Sequence, residues 1–308
     1  MLAIGFYIQY AVQNFNEIPL LNWSLASAGT ALFSVALVVF SIGIAGTIWY
    51  LLLRDNVVSI KWRQAQIIFA IAQFGKYLPG NVGQHVGRVV MAREINIPVP
   101  ITLNTMLVEV LWGAGIAAGL SLLSLILFVD EQKLGLQLQF GPAYFAMGVA
   151  LLLYMPWLGI GFLNRYLPGL AKRLSGGRRI AIPRLSTALM VAALFLLCFV
   201  LLGLILKLQA QWFFGVTNGG LLELTCLFAI AWIAGYLVPG APGGLGVREA
   251  MMVLLLSPTL GAGVAVGLGV TLRVTTTAGD AVAFSLGLLF KRLDVPVVTK
   301  SENKGGVL

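Results

Sequence analysis

Residues 25–53 read LASAGTALFSVALVVFSIGIAGTIWYLLL, and this stretch decides the class of fold. It carries no charged residue. As a helix it would be about 43 Å long, ample to cross a hydrocarbon core of about 30 Å. The rest of the chain has the same character: of 308 residues, 59% are hydrophobic and 10% charged, with a mean hydropathy of +0.95. An ordinary soluble domain is about one-quarter charged, so a chain this poor in charge cannot cover its own core and must use lipid as solvent. Outer-membrane barrels need short alternating segments rather than continuous apolar runs. The reading is an all-α, polytopic integral membrane protein.

Outward from this stretch, further predicted spans run from Ile101 to Val129, Ala143 to Leu163, Leu185 to Leu206 and Val264 to Phe290. With the segments discussed below, about six to eight membrane helices form a single transmembrane domain over residues 1–308. The first apolar stretch, Leu2 to Val12, would reach only about 16 Å as a helix. It reads as a partial span or as the end of a helix that starts upstream of Met1. No basic start or A-x-A-like site marks a cleavable signal peptide.

The net charge of +9 would suit a nucleic-acid binder, but its placement does not. Arg165, Lys172, Arg173, Arg178, Arg179 and Arg184 share one connection, residues 164–184, that holds no acid. Arg54, Lys61 and Arg63 follow the first span, and Lys291 and Arg292 follow the last. Basic flanks of this kind orient membrane proteins with the positive side in the cytoplasm, or recognise anionic head groups there. The basic connection and the tail 291–308 are therefore expected on the cytoplasmic side, and the mixed-charge loop Asp130 to Phe140 outside. Cys198 and Cys226 lie in apolar segments without metal or disulfide spacing, and read as small buried hydrophobes.

Two segments, about residues 64–98 and 221–257, do not fit simple spans. Each is apolar, yet each is broken by proline and glycine, which remove a helix donor and loosen the backbone. The breaks match. Pro79-Gly80-Asn81-Val82-Gly83 leads to Arg88, and Pro239-Gly240-Ala241-Pro242-Gly243 leads to Arg248, both as P-G-x-x-G-x-x-x-x-R, with a Tyr-Leu pair just ahead of each (Tyr77-Leu78 and Tyr236-Leu237). Both flanks of each segment are expected on one side, so each reads as a re-entrant pair. Three full spans lie between the breaks, an odd number, so the copies run in opposite directions. Inverted repeats with broken helices are how transporters place substrate near the midplane.

Ionisable groups at membrane depth need partners or water. Glu109, Arg273 and Asp280 lie within predicted spans, and Arg248 and Glu249 sit where the second break ends. A structural reading pairs Arg273 with Asp280 or Glu109 to fix packing. A functional reading makes Arg88, Arg248 and Arg273 donors to an anion, because the guanidinium fork suits phosphate oxygens and half-helix N-termini add backbone N–H groups. His85, the sole histidine, reads as a hydrogen-bonded residue or a proton carrier. Gly240 to Gly246 lacks the spacing of a nucleotide loop, no nucleophile–base constellation occurs, and the eleven acids are too scattered for a metal-dependent transferase. No cofactor, metal or nucleic acid is expected.

Phe74-Gly75-Lys76-Tyr77-Leu78-Pro79-Gly80-Asn81-Val82-Gly83 with Arg88, Glu109 on the next helix, and Val238-Pro239-Gly240 through Gly243-Gly244-Leu245-Gly246-Val247-Arg248-Glu249-Ala250 resemble the signatures of the lysylphosphatidylglycerol synthase transmembrane region, the flippase-like domain family. The resemblance covers nearly the whole chain. It implies a module that translocates lipids, and with the chain ending at Leu308 the soluble synthetic domain and its activity are not expected. The short first stretch departs from the family's full first helix. The expected function is a non-enzymatic, flippase-like transporter of a prokaryotic plasma (inner) membrane, moving an anionic phospholipid, glycolipid or polyprenyl-phosphate-linked lipid. The alternatives are a non-transporting scaffold for a partner enzyme of lipid or glycan synthesis, and a membrane-embedded transferase. The expected substrate-binding set is Lys76, Pro79, Gly80, Arg88, Glu109, Pro239, Gly240, Gly243, Arg248, Glu249, Arg273 and Asp280. The lipid, its direction of travel, the energy source and the oligomeric state stay open.

Overall fold

The computed structural model describes residues 19–56, 58–78, 82–128, 142–177, 179–237, 244 and 246–293. The stretch Leu2 to Val12, the loop Asp130 to Phe140 and the tail after Leu293 lie outside these, as do Pro79, Gly80, Pro239, Gly240 and Gly243. Ten α-helices and no strand occur among the described residues. They are α1 (Leu25–Asp55), α2 (Trp62–Gln73), a 3-10 turn (Phe74–Tyr77), α3 (Gly83–Glu94), α4 (Val99–Phe128), α5 (Pro142–Tyr166), α6 (Pro168–Leu174), α7 (Leu185–Phe214), α8 (Leu221–Leu237), α9 (Val247–Leu260) and α10 (Ala262–Leu293).

The five longest helices, α1, α4, α5, α7 and α10, coincide with the five predicted spans. Three of them, α1, α4 (over Val99–Ser124) and α7, are long and apolar enough to cross a membrane by length and composition. The chain is a multi-pass membrane protein. Two boundaries differ from expectation. Helix α7 continues past Leu206 to Phe214 because its polar Gln209, buried, donates to Thr275 Oγ1 (2.8 Å) and accepts from Thr271 Oγ1 (2.9 Å) on α10. A buried amide with both ends satisfied does not stop a helix. The basic connection also contains a short helix, α6, started by Pro168 in its first turn, where proline's missing N–H costs nothing.

The same order of elements occurs twice: a long helix, a helical hairpin, a long helix. In the first set these are α1, the α2–α3 hairpin and α4; in the second, α7, the α8–α9 hairpin and α10. Contacts repeat with the order. Helix α2 packs on α10 and its counterpart α8 packs on α4, while α1 and α7 pack on each other. That pair is antiparallel: Asn22 N–H, just ahead of α1, donates to Phe213 O at the end of α7 (3.0 Å), and Arg184 N–H and Thr187 Oγ1 at the start of α7 donate to Asp55 at the end of α1 (3.0 and 2.9 Å). The leading helices of the two sets thus run in opposite directions.

One end of the bundle gathers the basic flanks. Asp55 meets Arg184, Asn56 meets Asn104, Asn104 meets Ala181, Arg63 lies over Phe290, and Lys291 pairs with Glu94. The α2–α3 hairpin begins and finishes at this end, with Trp62 Nε1 bonded to Thr47 of α1. The α8–α9 hairpin begins and finishes at the opposite end, where Thr259 Oγ1 donates to Glu223 (2.8 Å) and Gly219 lies beside Leu260. The two hairpins enter the bundle from opposite ends, and their tips point toward each other. At about 25 Å, α8 reaches roughly halfway along a bundle whose α1 is about 46 Å long.

Candidate functional site

Each tip closes on a glycine. A Cβ on Gly75 would lie 2.5 Å from Gly83 C and 2.6 Å from Gln84 N, and one on Gly235 would lie 3.0 Å from Arg248 Cβ and 3.5 Å from Gly244 Cα. Both glycines stand four residues before their Pro-Gly pair, a match that lies ahead of the shared P-G-x-x-G-x-x-x-x-R pattern. The signal was a shared small residue at equal distance from the break. It keeps the two arms of each hairpin close and sets the direction of the helix that follows.

Between the tips lies a cavity of about 290 Å³. Gln73, Lys76, Tyr77, Gln84, His85 and Arg88 line it from the first hairpin, and Gly235, Tyr236, Gly244 and Arg248 from the second. Glu109 of α4 and Arg273, Thr276 and Asp280 of α10 complete the polar wall. Phe195, Phe199, Phe228 and Trp232 form an aromatic wall, with Trp232 stacked on Tyr236 (centroids 5.2 Å apart). Of the twelve residues expected at the site, Lys76, Arg88, Glu109, Arg248, Arg273 and Asp280 line this cavity, and Glu249 pairs with two of them. The other five, Pro79, Gly80, Pro239, Gly240 and Gly243, fall outside the described residues.

The two motif arginines have different surroundings. Arg88, 4% exposed, forms a fork with Glu109: Nη1 to Oε2 at 2.6 Å and Nη2 to Oε1 at 3.2 Å. Its guanidinium also lies over Phe69 (4.3 Å to the centroid) and near Trp49 (5.8 Å). A bidentate, stacked guanidinium is held firmly in place. Arg248 instead reaches Glu249 through one long contact of 3.5 Å, and its Nε is buried with no hydrogen-bond partner among the described residues. Glu249 divides itself further, accepting the Gly246 N–H at 2.8 Å and pairing with Arg273 at 3.6 Å. Asp280 takes Lys76 Nζ at 2.6 Å and Tyr77 Oη at 2.5 Å.

The ion pairs differ from the structural expectation for Arg273. Seven residues separate it from Asp280 on α10, but Glu249 is its ion-pair partner, because the tip of the first hairpin delivers Lys76 to Asp280. Glu109 is likewise taken by Arg88. His85 contacts Gln84 through Nε2 (3.3 Å) and leaves Nδ1 buried and unpartnered among the described residues. Four cations, Lys76, Arg88, Arg248 and Arg273, face three carboxylates, Glu109, Glu249 and Asp280, so the cluster carries a net single positive charge. No group of His, Cys, Asp and Glu able to hold a metal occurs among the described residues.

Fold and cavity together define a class: a multi-pass membrane module whose opposed helical hairpins enclose a basic cavity. The family profile described as the lysylphosphatidylglycerol synthase TM region matches residues 3–283, and the chain belongs to that family. No curated protein matches the sequence.

Proposed function

We propose that this chain is a lipid transporter, in which an anionic lipid head group passes between leaflets through the cavity between the hairpin tips while its tails stay in the bilayer. The observation that carries the reading is Arg248. Its guanidinium is buried, loosely paired and missing one partner among the described residues, on the wall of a cavity with excess positive charge. A buried donor without an acceptor is costly, and a phosphate oxygen would remove that cost. Lys76 and Arg273 would complete the anion contacts. Arg88, neutralised by Glu109, would set the position of the first tip.

The family supports a membrane module of the flippase type. Basic flanks collected at one end favour that end as cytoplasmic, in the inner membrane of a prokaryote. In that frame the hairpins are re-entrant from opposite sides, as in transporters with inverted repeats. The reading gives the chain no catalytic step, and leaves a partner enzyme of lipid or glycan synthesis as supplier or consumer of the lipid.

Purified protein in liposomes containing a headgroup-intact, tail-labelled phosphatidylglycerol tests this. Movement of the label between leaflets well above that in protein-free liposomes is expected. A folded, inserted protein that moves no such lipid overturns the reading and favours the scaffold alternative.

A further inference from the structure

Asp280 has the least exposed charged side chain of the cavity cluster, at 2%, against 20% for its partner Lys76. The two come from different elements: Asp280 from the middle of α10, Lys76 from the tip of the first hairpin. Tyr77, next to Lys76, donates to the same Oδ2 and also meets Thr277. One short turn therefore supplies both the cation and the hydroxyl that contact this carboxylate.

The other charges near it are accounted for. Arg248 and Glu249 come from α9, and Arg273 from α10 itself, with Arg248 and Arg273 both within electrostatic reach of Lys76. On the cavity, α1 contributes Val38, Ser41, Ile42 and Ala45, and α2 contributes Phe69 and Gln73, none of them ionisable. To the cavity, helix α7 brings one titratable group, the Cys198 thiol, which contacts Ser41 O, while its Lys207 is not among the lining residues. Arg248 and Arg273 are already turned to Glu249, so Lys76 is the cation in direct contact with Asp280.

An anion entering this cavity acts on Asp280 in two ways. It draws the ammonium of Lys76, which is less buried than Asp280, toward itself, and its own charge repels the carboxylate. Both favour a proton on Asp280, because a buried carboxylate stripped of its cation neutralises rather than remain charged. The balance is simple. One proton from water forms an O–H bond on an Asp280 oxygen, Lys76 stays an ammonium, and Tyr77 stays a phenol bonded to the neutral acid.

We propose that Asp280 is a proton site linked to the anion site, so that a head group that draws Lys76 away loads one proton and the two cross together. This rests on the anion reading above. Transport of a singly charged lipid would then be electroneutral and driven by a pH difference rather than by membrane potential.

The test is calorimetric titration of the full chain in detergent with dihexanoyl-phosphatidylglycerol, whose phosphodiester does not titrate near neutrality, in buffers of different ionisation enthalpy. Uptake of about one proton per lipid is expected, with affinity rising about tenfold for each pH unit lowered within the coupled range. In Asp280→Asn both the uptake and the pH dependence should vanish. Lys76→Gln, which removes the cation that links the two sites, should also bind without uptake. Tight binding without proton uptake in the wild type overturns the inference but leaves the anion site intact. So does uptake that survives in Asp280→Asn. Absence of binding at every pH overturns the anion reading itself.

Discussion

Replacing Arg248 with alanine separates binding from folding. The substitution removes the Nε donor that lacks a partner among the described residues and the long contact of 3.5 Å to Glu249. Glu249 keeps the Gly246 N–H at 2.8 Å and Arg273 at 3.6 Å, so no charge is abandoned in the interior. The stability loss should then stay near that of an average substitution, about 1 kcal/mol. The effect on an anionic head group should be larger. A hydrogen bond to a charged group contributes about 1.5–3 kcal/mol, and losing one weakens binding roughly 10- to 150-fold. Transport of tail-labelled phosphatidylglycerol by liposomes holding the variant should fall to about half of the wild-type rate or less at lipid concentrations that just saturate the wild type, while gel filtration shows the same monodisperse peak. Wild-type transport by Arg248→Ala refutes the assignment. A variant that aggregates shows instead that Arg248 serves the fold.

The motif-equivalent Arg88 should behave in the opposite way. Arg88→Met alone leaves Glu109 without its fork and should cost about 3–5 kcal/mol, seen as loss of monodisperse protein on mild heating, whereas adding Glu109→Gln should recover most of it. Gly75→Ala forces a Cβ to 2.5 Å from backbone and should destabilise by about 1–3 kcal/mol, measured in the same way, while Gly235→Ala, at 3.0 Å from a side-chain carbon, should cost less. Arg184→Ala should change stability by less than about 1 kcal/mol, because its 3.8 Å pair with Asp55 is solvent-exposed on the arginine side. A large effect there would mean that the basic end is held together by charge.

The spans were legible because an uncharged apolar run of 29 residues has few alternatives to crossing a membrane. The hairpins were legible because clustered proline and glycine break a helix, whereas the lone Pro156 and Pro258 stay within α5 and α9. The pairing of charges was not. Helical spacing put Arg273 and Asp280 on one face of α10 and invited their pairing, but spacing within a helix says nothing about what a tip from another element delivers. Lys76 reaches Asp280 across more than two hundred residues of sequence, as Tyr77 does with a separation of 203. The matched arginines also concealed a difference. Arg88 and Arg248 occupy the same place in the pattern, yet among the described residues only the first has a carboxylate on a neighbouring helix in fork geometry. The close approach at Gly75 and Gly235 went unread for the same reason, since it depends on which backbone passes overhead.

The central claim is that a head group sits between the two hairpin tips. A phosphatidylglycerol carrying a small photoreactive group on its head group, irradiated in liposomes with the purified chain, tests it directly through the sites of the adducts. Adducts on both tips are expected, around residues 76–88 and 235–248, with fewer in Arg248→Ala. Adducts confined to the outer, lipid-facing residues of α1, α7 and α10 would contradict the account.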